Sequence, residues 1–200
     1  MITNAIQQKR KWTIAMAEPC NDDTLAIRLT AGDETALHEL YAEYGKRLFA
    51  YALRLTNDHA KAEDVVQDVL VTVWRTAYRY RGEGRFIAWL LGIVHHTAMN
   101  AIRHTSIAIS DAMEDTIASN TLPPENLTQR NMQSEWVKQG LESLDSDHRA
   151  VLELVFYQGL SMEEIAKVCQ IPLGTVKSRL SYARQKLKGI LIRQNAEEWR

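Results

Sequence analysis

Residues 161–191 read SMEEIAKVCQIPLGTVKSRLSYARQKLKGIL. Ser161 followed by Glu164 forms a capping box: the hydroxyl takes an orphan amide of the first helical turn, and the carboxylate reaches back to the cap. The spacing predicts a short helix, MEEIAKV, ending at Cys169-Gln170. The turn CQIP then leads into a longer helix. Short helix, tight turn and long helix make the helix-turn-helix plan, whose second helix enters the major groove of DNA. The long helix has three faces. Val176, Leu180, Ala183, Leu187 and Leu191 form an apolar stripe for the core. Lys177, Ser181, Arg184 and Lys188 form a basic stripe suited to phosphates. Thr175, Ser178, Arg179 and Tyr182 form a face of short donors, one guanidinium and an aromatic ring, which suits base edges.

The charge along the chain supports this reading. The formal net charge is −1, yet residues 172–193 hold Lys177, Arg179, Arg184, Lys186, Lys188 and Arg193 and no acid. Residues 105–145 hold seven acids against two bases. Such asymmetry between segments of a near-neutral chain points to nucleic acid.

Outward from this stretch the pattern is helical everywhere, so the fold class expected is all-α. No segment alternates, and 200 residues contain only four prolines and nine glycines. DDTLAIRLTAGD predicts a short helix starting at Asp22 or Asp23. ETALHELYAEYGKRLFAYALRLT predicts a longer one, with Leu37, Leu40, Tyr41, Tyr44, Leu48, Tyr51, Ala52 and Leu55 buried. A third helix begins after Asn57 or Asp58 and buries Ala62, Val65, Val66, Val69, Leu70, Val73, Trp74 and Ala77. After the break RGEG, a fourth places Phe86, Trp89, Leu90, Ile93, Val94, Thr97, Ala98 and Ala101 on one face. From Thr105 the periodicity dissolves into small polar residues and a Pro-Pro pair. The organisation expected is an N-terminal extension (1–21), a helical domain (22–104), a flexible acidic linker (105–127), a helix-turn-helix domain (128–192) and a tail (193–200).

Several function classes are excluded or disfavoured. Cys20 and Cys169 sit in no CxxC or CxxH spacing, so neither a zinc site nor a disulfide framework is indicated. The pair His95-His96 diverges by about 100° on a helix and does not converge on one ion. No Gly-rich phosphate loop, nucleophile elbow or HExxH spacing occurs, which argues against an enzyme. No metal and no cofactor are expected. No apolar run reaches the roughly 18 residues a membrane span needs, and the start is too short in apolar residues for a signal peptide. A cytoplasmic protein is the expectation.

Two long segments carry a family resemblance. GLSMEEIAKVCQIPLGTVKSRLSYARQKLKGIL resembles the promoter −35 reading region of extracytoplasmic-function sigma factors, the smallest members of the sigma-70 family. LTNDHAKAEDVVQDVLVTVWRTAYRYRGEGRFIAWLLGIVHHTAMNAIRH is similar to that family's −10 domain. The resemblance implies a subunit that binds core RNA polymerase, recognises promoter DNA and promotes its melting, with an anti-sigma factor as a regulatory partner. It implies that Glu63, Asp64, Gln67, Asp68 and Val71 dock on the clamp helices of the polymerase's largest subunit, and that a second contact forms with its flap. It further implies −10 contacts from Arg79, Arg81, Gly82, Gly84, Arg85, Phe86, His96, Asn100 and Arg103. The −35 contacts would come from Thr175, Lys177, Ser178, Arg179, Tyr182, Arg184 and Lys188. Asp111, Glu114 and Asp115 would lie near the catalytic cleft as an acidic mimic of nucleic acid.

Phe86 and Trp89 also fall at core spacing with Leu90 and Ile93, so packing competes with base stacking for both. HHTAMNAIRH departs from the family's usual Arg-Asn-acid pattern and implies altered contacts there. The alternative reading is a ligand-responsive helix-turn-helix regulator. That protein would need a dimer to read half-sites and a ligand pocket in its front domain.

Overall fold

The structure is a computed structural model that describes residues 22–111, 140, 141 and 143–197. Its α-helices are α1 (Asp22–Thr30), α2 (Glu34–Thr56), α3 (His59–Thr76), α4 (Phe86–Asp111), α5 (Ser146–Phe156), α6 (Met162–Cys169) and α7 (Leu173–Glu197). A single 3₁₀ turn, Ala77–Arg79, follows α3. No strand occurs among the described residues. The extension 1–21 and most of the expected acidic linker, Glu114 and Asp115 included, lie outside them.

The helix boundaries follow from short polar side chains. Asp33 caps α2 by accepting from the amide of Thr35 at 2.9 Å. Asn57 closes α2 in the left-handed region at φ 53°, which Asn tolerates better than most residues. Asp58 then opens α3 at once, accepting from the Lys61 amide at 3.2 Å. The Asn57-Asp58 ambiguity is thus resolved by dividing the work. At α6 both halves of the capping box form: Glu164 N–H to Ser161 Oγ at 3.1 Å, and Ser161 N–H to Glu164 Oε2 at 2.7 Å.

The front domain packs α2, α3 and α4 around Leu40, Leu48, Tyr51, Leu55, Val65, Val69, Val73, Phe86, Leu90 and Val94, all buried. Truncating one such leucine to alanine typically costs about 2–5 kcal/mol. Tyr41 is a correction to the expected stripe: it is 55% exposed. Its ring lies across Gly45 on the outer side of α2, where an added Cβ would stand 2.9 Å from it. A second difference lies in α4, which continues to Asp111 rather than ending near His104. Nothing from Thr105 to Asp111 breaks a helix, and Thr105 bonds back to the Ala101 carbonyl at 3.0 Å.

The second domain folds α5, α6 and α7 around Leu144, Val151, Leu154, Ile165, Val176, Leu180 and Ala183. The two domains are in contact, α4 against α6 and α2 against α5. Gly92 of α4 faces the Val168 backbone, which a Cβ at that position would meet in ordinary contact at 3.9 Å. Arg47 bonds both the side chain (2.6 Å) and the carbonyl (2.8 Å) of Gln158, and Arg149 bonds the Arg54 carbonyl at 3.1 Å. Arg54 pairs with Glu153, a carboxylate with no exposed surface, and lies 3.6 Å over the Tyr157 ring. Burial pushes the Glu153 carboxyl up, and the Arg54 hydrogen bond and charge oppose that shift.

His95 is buried beside this interface, its Nδ1 3.1 Å from the Tyr51 hydroxyl. Burial, then the positive charge of His96, Arg179 and Arg103, holds its imidazole down at about 4. The folded chain therefore carries it neutral, while the unfolded chain binds a proton near pH 6.5. This contribution is present above pH 6.5 and is lost as pH falls toward 4, by up to about 3 kcal/mol. Urea titrations between pH 7 and 4.5 should show a shallower decline for His95→Gln than for the unmodified chain. Equal slopes would remove His95 as the cause.

Candidate nucleic-acid interface

The loop between the 3₁₀ turn and α4 is built on two glycines in the left-handed region, Gly82 at φ 70° and Gly84 at φ 101°. Neither position is crowded, so backbone conformation rather than space calls for glycine here. The Gly84 amide donates to the Gly82 carbonyl, and the Tyr80 hydroxyl donates to the Gly84 carbonyl, both at 3.1 Å. Arg79, Arg81 and Arg85 are exposed around this loop.

Phe86 is 1% exposed, at the centre of an aromatic cluster with Tyr80, Trp89 and Tyr44 at 5.1, 5.6 and 5.9 Å. Its ring is in the core and anchors the loop; it is not offered to a base. Trp89 and Tyr80 are only partly buried and form the outer layer of that cluster. Tyr80, and Tyr78 at 63% exposure, also stand beside this Arg-rich loop, and neither was singled out from the sequence. His96, Asn100 and Arg103 follow one side of α4, with Arg103 bonded to the Asn100 side chain at 3.0 Å. His96 is partly buried, which lowers its pKa, with Arg103 acting in the same direction.

On α3, Glu63, Asp64, Gln67 and Asp68 are exposed, opposite the buried Val65, Val66 and Val69. Val71 lies among them at 48% exposure. The face predicted from the sequence is therefore continuous and open. It is acidic with an apolar spot, on a helix held rigid from behind.

On α7 the predicted faces separate differently. Lys177, Ser178, Tyr182, Arg184 and Lys188 are exposed, and Thr175 is partly buried. Arg179 turns inward: its Nη2 lies 2.6 Å from Asp147 Oδ2 on α5. Its guanidinium is thus committed to an intradomain ion pair and is not displayed beside Ser178 and Tyr182. The neighbouring Tyr182 ring packs on His148 at 4.5 Å, and His148 Nδ1 lies 2.7 Å from Asp145. Neither Asp147 nor His148 was legible as a site residue, because each is more than thirty positions from its partner on α7.

Residues 40–106 match the family model for Sigma-70 region 2, and residues 140–189 match that for Sigma-70, region 4. The RNA polymerase sigma-H factor of Pseudomonas aeruginosa is 30% identical over 174 residues, which cover 82% of this chain and 90% of that protein. The chain belongs to the extracytoplasmic-function sigma factors of the sigma-70 family. The ECF RNA polymerase sigma-E factor of Escherichia coli K12 is 31% identical over 180 residues, 85% of this chain and 94% of that one. Among solved structures, the sigma factor RpoE in complex with the anti-sigma factor NepR from Bartonella quintana aligns with a TM-score of 0.65 and 29% identity. The alignment covers 77% of this chain and 95% of that one.

This sigma factor is a transcription-initiation factor: it binds RNA polymerase and recognises the −10 element through region 2 and the −35 element through region 4. Both regions are all-helical, as expected. Among the described residues no helix is long and apolar enough to cross a membrane.

The Arg179–Asp147 pair is partly exposed, at 23% and 42%, so its coupling should be about 1 kcal/mol or less. A double-mutant cycle of Arg179→Ala and Asp147→Ala in chemical unfolding should be non-additive by that amount. Strict additivity would mean the pair does not form in solution.

Proposed function

We propose that this sigma factor divides initiation among three surfaces. The observation that carries the reading is the open acidic face of α3, Glu63, Asp64, Gln67, Asp68 and Val71, on a helix whose opposite side is fully buried. Such a face complements a basic helical partner in both charge and register. By family resemblance that partner is the clamp-helix coiled coil of the polymerase's largest subunit, with the flap engaged by region 4.

The Arg79–Arg85 loop takes the melted −10 strand. Arg79, Arg81 and Arg85 neutralise phosphates, Gly82 and Gly84 let the backbone approach, and Trp89 and Tyr80 offer ring faces to an unstacked base. His96, Asn100 and Arg103 extend this surface along α4. Phe86 supports it from the core.

Region 4 reads the −35 duplex with Thr175, Ser178 and Tyr182, while Lys177, Arg184 and Lys188 hold phosphates. Arg179 reaches a base only by leaving Asp147. An anti-sigma factor is the expected regulatory partner, since the structural neighbours include a sigma factor bound to one. The protein acts in the cytoplasm, where its polymerase is.

Reversing Asp64 and Asp68 to lysine should leave circular dichroism unchanged and remove co-purification with core polymerase. Retention at the unmodified level would place the docking face elsewhere. Deleting Gly82 to Gly84 should spare polymerase binding and block promoter opening. Permanganate reactivity of unpaired thymines is the measurement, and normal reactivity would sink the role given to the loop.

A further inference from the structure

Three side chains along one edge of α7, Arg179, Tyr182 and Lys186, follow the helical spacing i, i+3 and i+7. Each meets the start of α5 or the chain just before it. Arg179 Nη2 lies 2.6 Å from Asp147 Oδ2. Lys186 Nζ donates to the Ser143 carbonyl at 2.8 Å. Between these two polar ties the Tyr182 ring packs on the His148 imidazole, with centroids 4.5 Å apart and planes tilted by 43°. The outer ties set the position and rotation of α7 against α5. They also engage two of the basic residues of α7 within the domain.

Tyr182 nevertheless faces outward, at 50% exposure, one turn beyond the exposed Ser178. A half-exposed ring ordinarily exchanges rotamers on the ps–ns scale, and each rotamer carries its hydroxyl to a different place. Telling one base edge from another requires a side chain held to within about 0.5 Å. The His148 ring supplies such a hold from outside α7.

His148 is itself fixed. Its Nδ1 lies 2.7 Å from both carboxylate oxygens of Asp145, and its backbone amide donates to Asp145 Oδ1 at 3.0 Å. An ionised carboxylate only accepts, which assigns the imidazole hydrogen to Nδ1. Asp145 is in turn the N-cap of α5. A cap needs only the backbone amide. The bond to the imidazole is additional to the cap, and it orients the ring that meets Tyr182.

We propose that His148, oriented by Asp145, is a positioning residue for −35 recognition: it fixes the Tyr182 ring on the reading face of α7 and so sets the base preference at the pairs Tyr182 meets. That Tyr182 meets a base rests on the function proposed above; the contact between the two rings does not.

Holoenzyme assembled from the full chain and core RNA polymerase, presented with promoter duplexes randomised across the −35 element, gives the preferred sequence. Competition among single-base variants of that sequence then measures preference pair by pair. Tyr182→Ala should flatten the preference at a small number of adjacent pairs. His148→Ala should flatten it at the same pairs, by about three- to tenfold. The other pairs should keep their preference, and the salt dependence set by Lys177, Arg184 and Lys188 should not change. His148→Gln, which keeps a donor for Asp145 but has no ring, should act as His148→Ala does and serves if the alanine variant is misfolded by circular dichroism. His148→Phe, which returns a ring without the Asp145 bond, should fall between alanine and histidine. In a Tyr182→Ala background His148→Ala should change nothing further. A uniform loss over all variants, or a change in preference that persists without Tyr182, would make His148 merely structural and overturn the proposal. If Tyr182→Ala itself leaves every preference intact, the base contact assigned to Tyr182 fails, and the proposal with it.

Discussion

Helix α4 is apolar on more than one side, and the whole arrangement follows from the need to cover it. One side supplies Phe86, Leu90, Val94 and Ala98 to the front-domain core. Around the helix, Gly92 meets Val168 of the second domain, and the half-buried His96 and Trp89 border the interdomain cleft. A glycine inside a helix costs about 0.5–1 kcal/mol relative to alanine. At this position it lies against the Val168 backbone of α6, where a Cβ would make ordinary contact at 3.9 Å. The same helix begins at the Gly82–Gly84 loop, so the element that completes the front core also follows directly on Arg85 and lines the cleft.

Charge is arranged by a comparable economy. Acids are displayed on α3, where a protein partner is expected, and bases on α7, where DNA is. The inward-turned Arg179 shows that a basic residue on the recognition helix need not face the nucleic acid. Its partner Asp147 lies in the first turn of α5, where an acid also suits the positive end of the helix dipole. The ion pair ties α7 to α5 beside the packing of Tyr182 on His148. The orientation of the exposed face of α7 therefore depends on contacts with α5.

Most of the fold was legible in the sequence because it depends on local rules. Helical periodicity, the Asp58 and Ser161 caps and the glycine loop are statements about residues within a few positions of one another, and physics at that range is nearly independent of context. For the same reason the acidic face of α3 came out correctly: residues opposite a valine stripe must point outward. Two short-range expectations failed for tertiary or continuity reasons. Tyr41 left the core stripe because Gly45 offers its ring a resting place outside. The end of α4 was set too early because weak helix formers were read as a break although nothing in them stops a helix.

By itself, then, the sequence determined the all-helical class, the Asp58 and Ser161 caps, the helix-turn-helix and the family, all of which are encoded in spacing along one chain. Only the tertiary structure decided that Arg179 faces Asp147, that Phe86 is core, and that Glu153 and Gln158 are buried against Arg54 and Arg47. Those outcomes depend on side chains 32 to 111 positions apart meeting across helices. No periodicity records such a meeting, because a charged residue has the same local signature whether its partner is water, DNA or another domain.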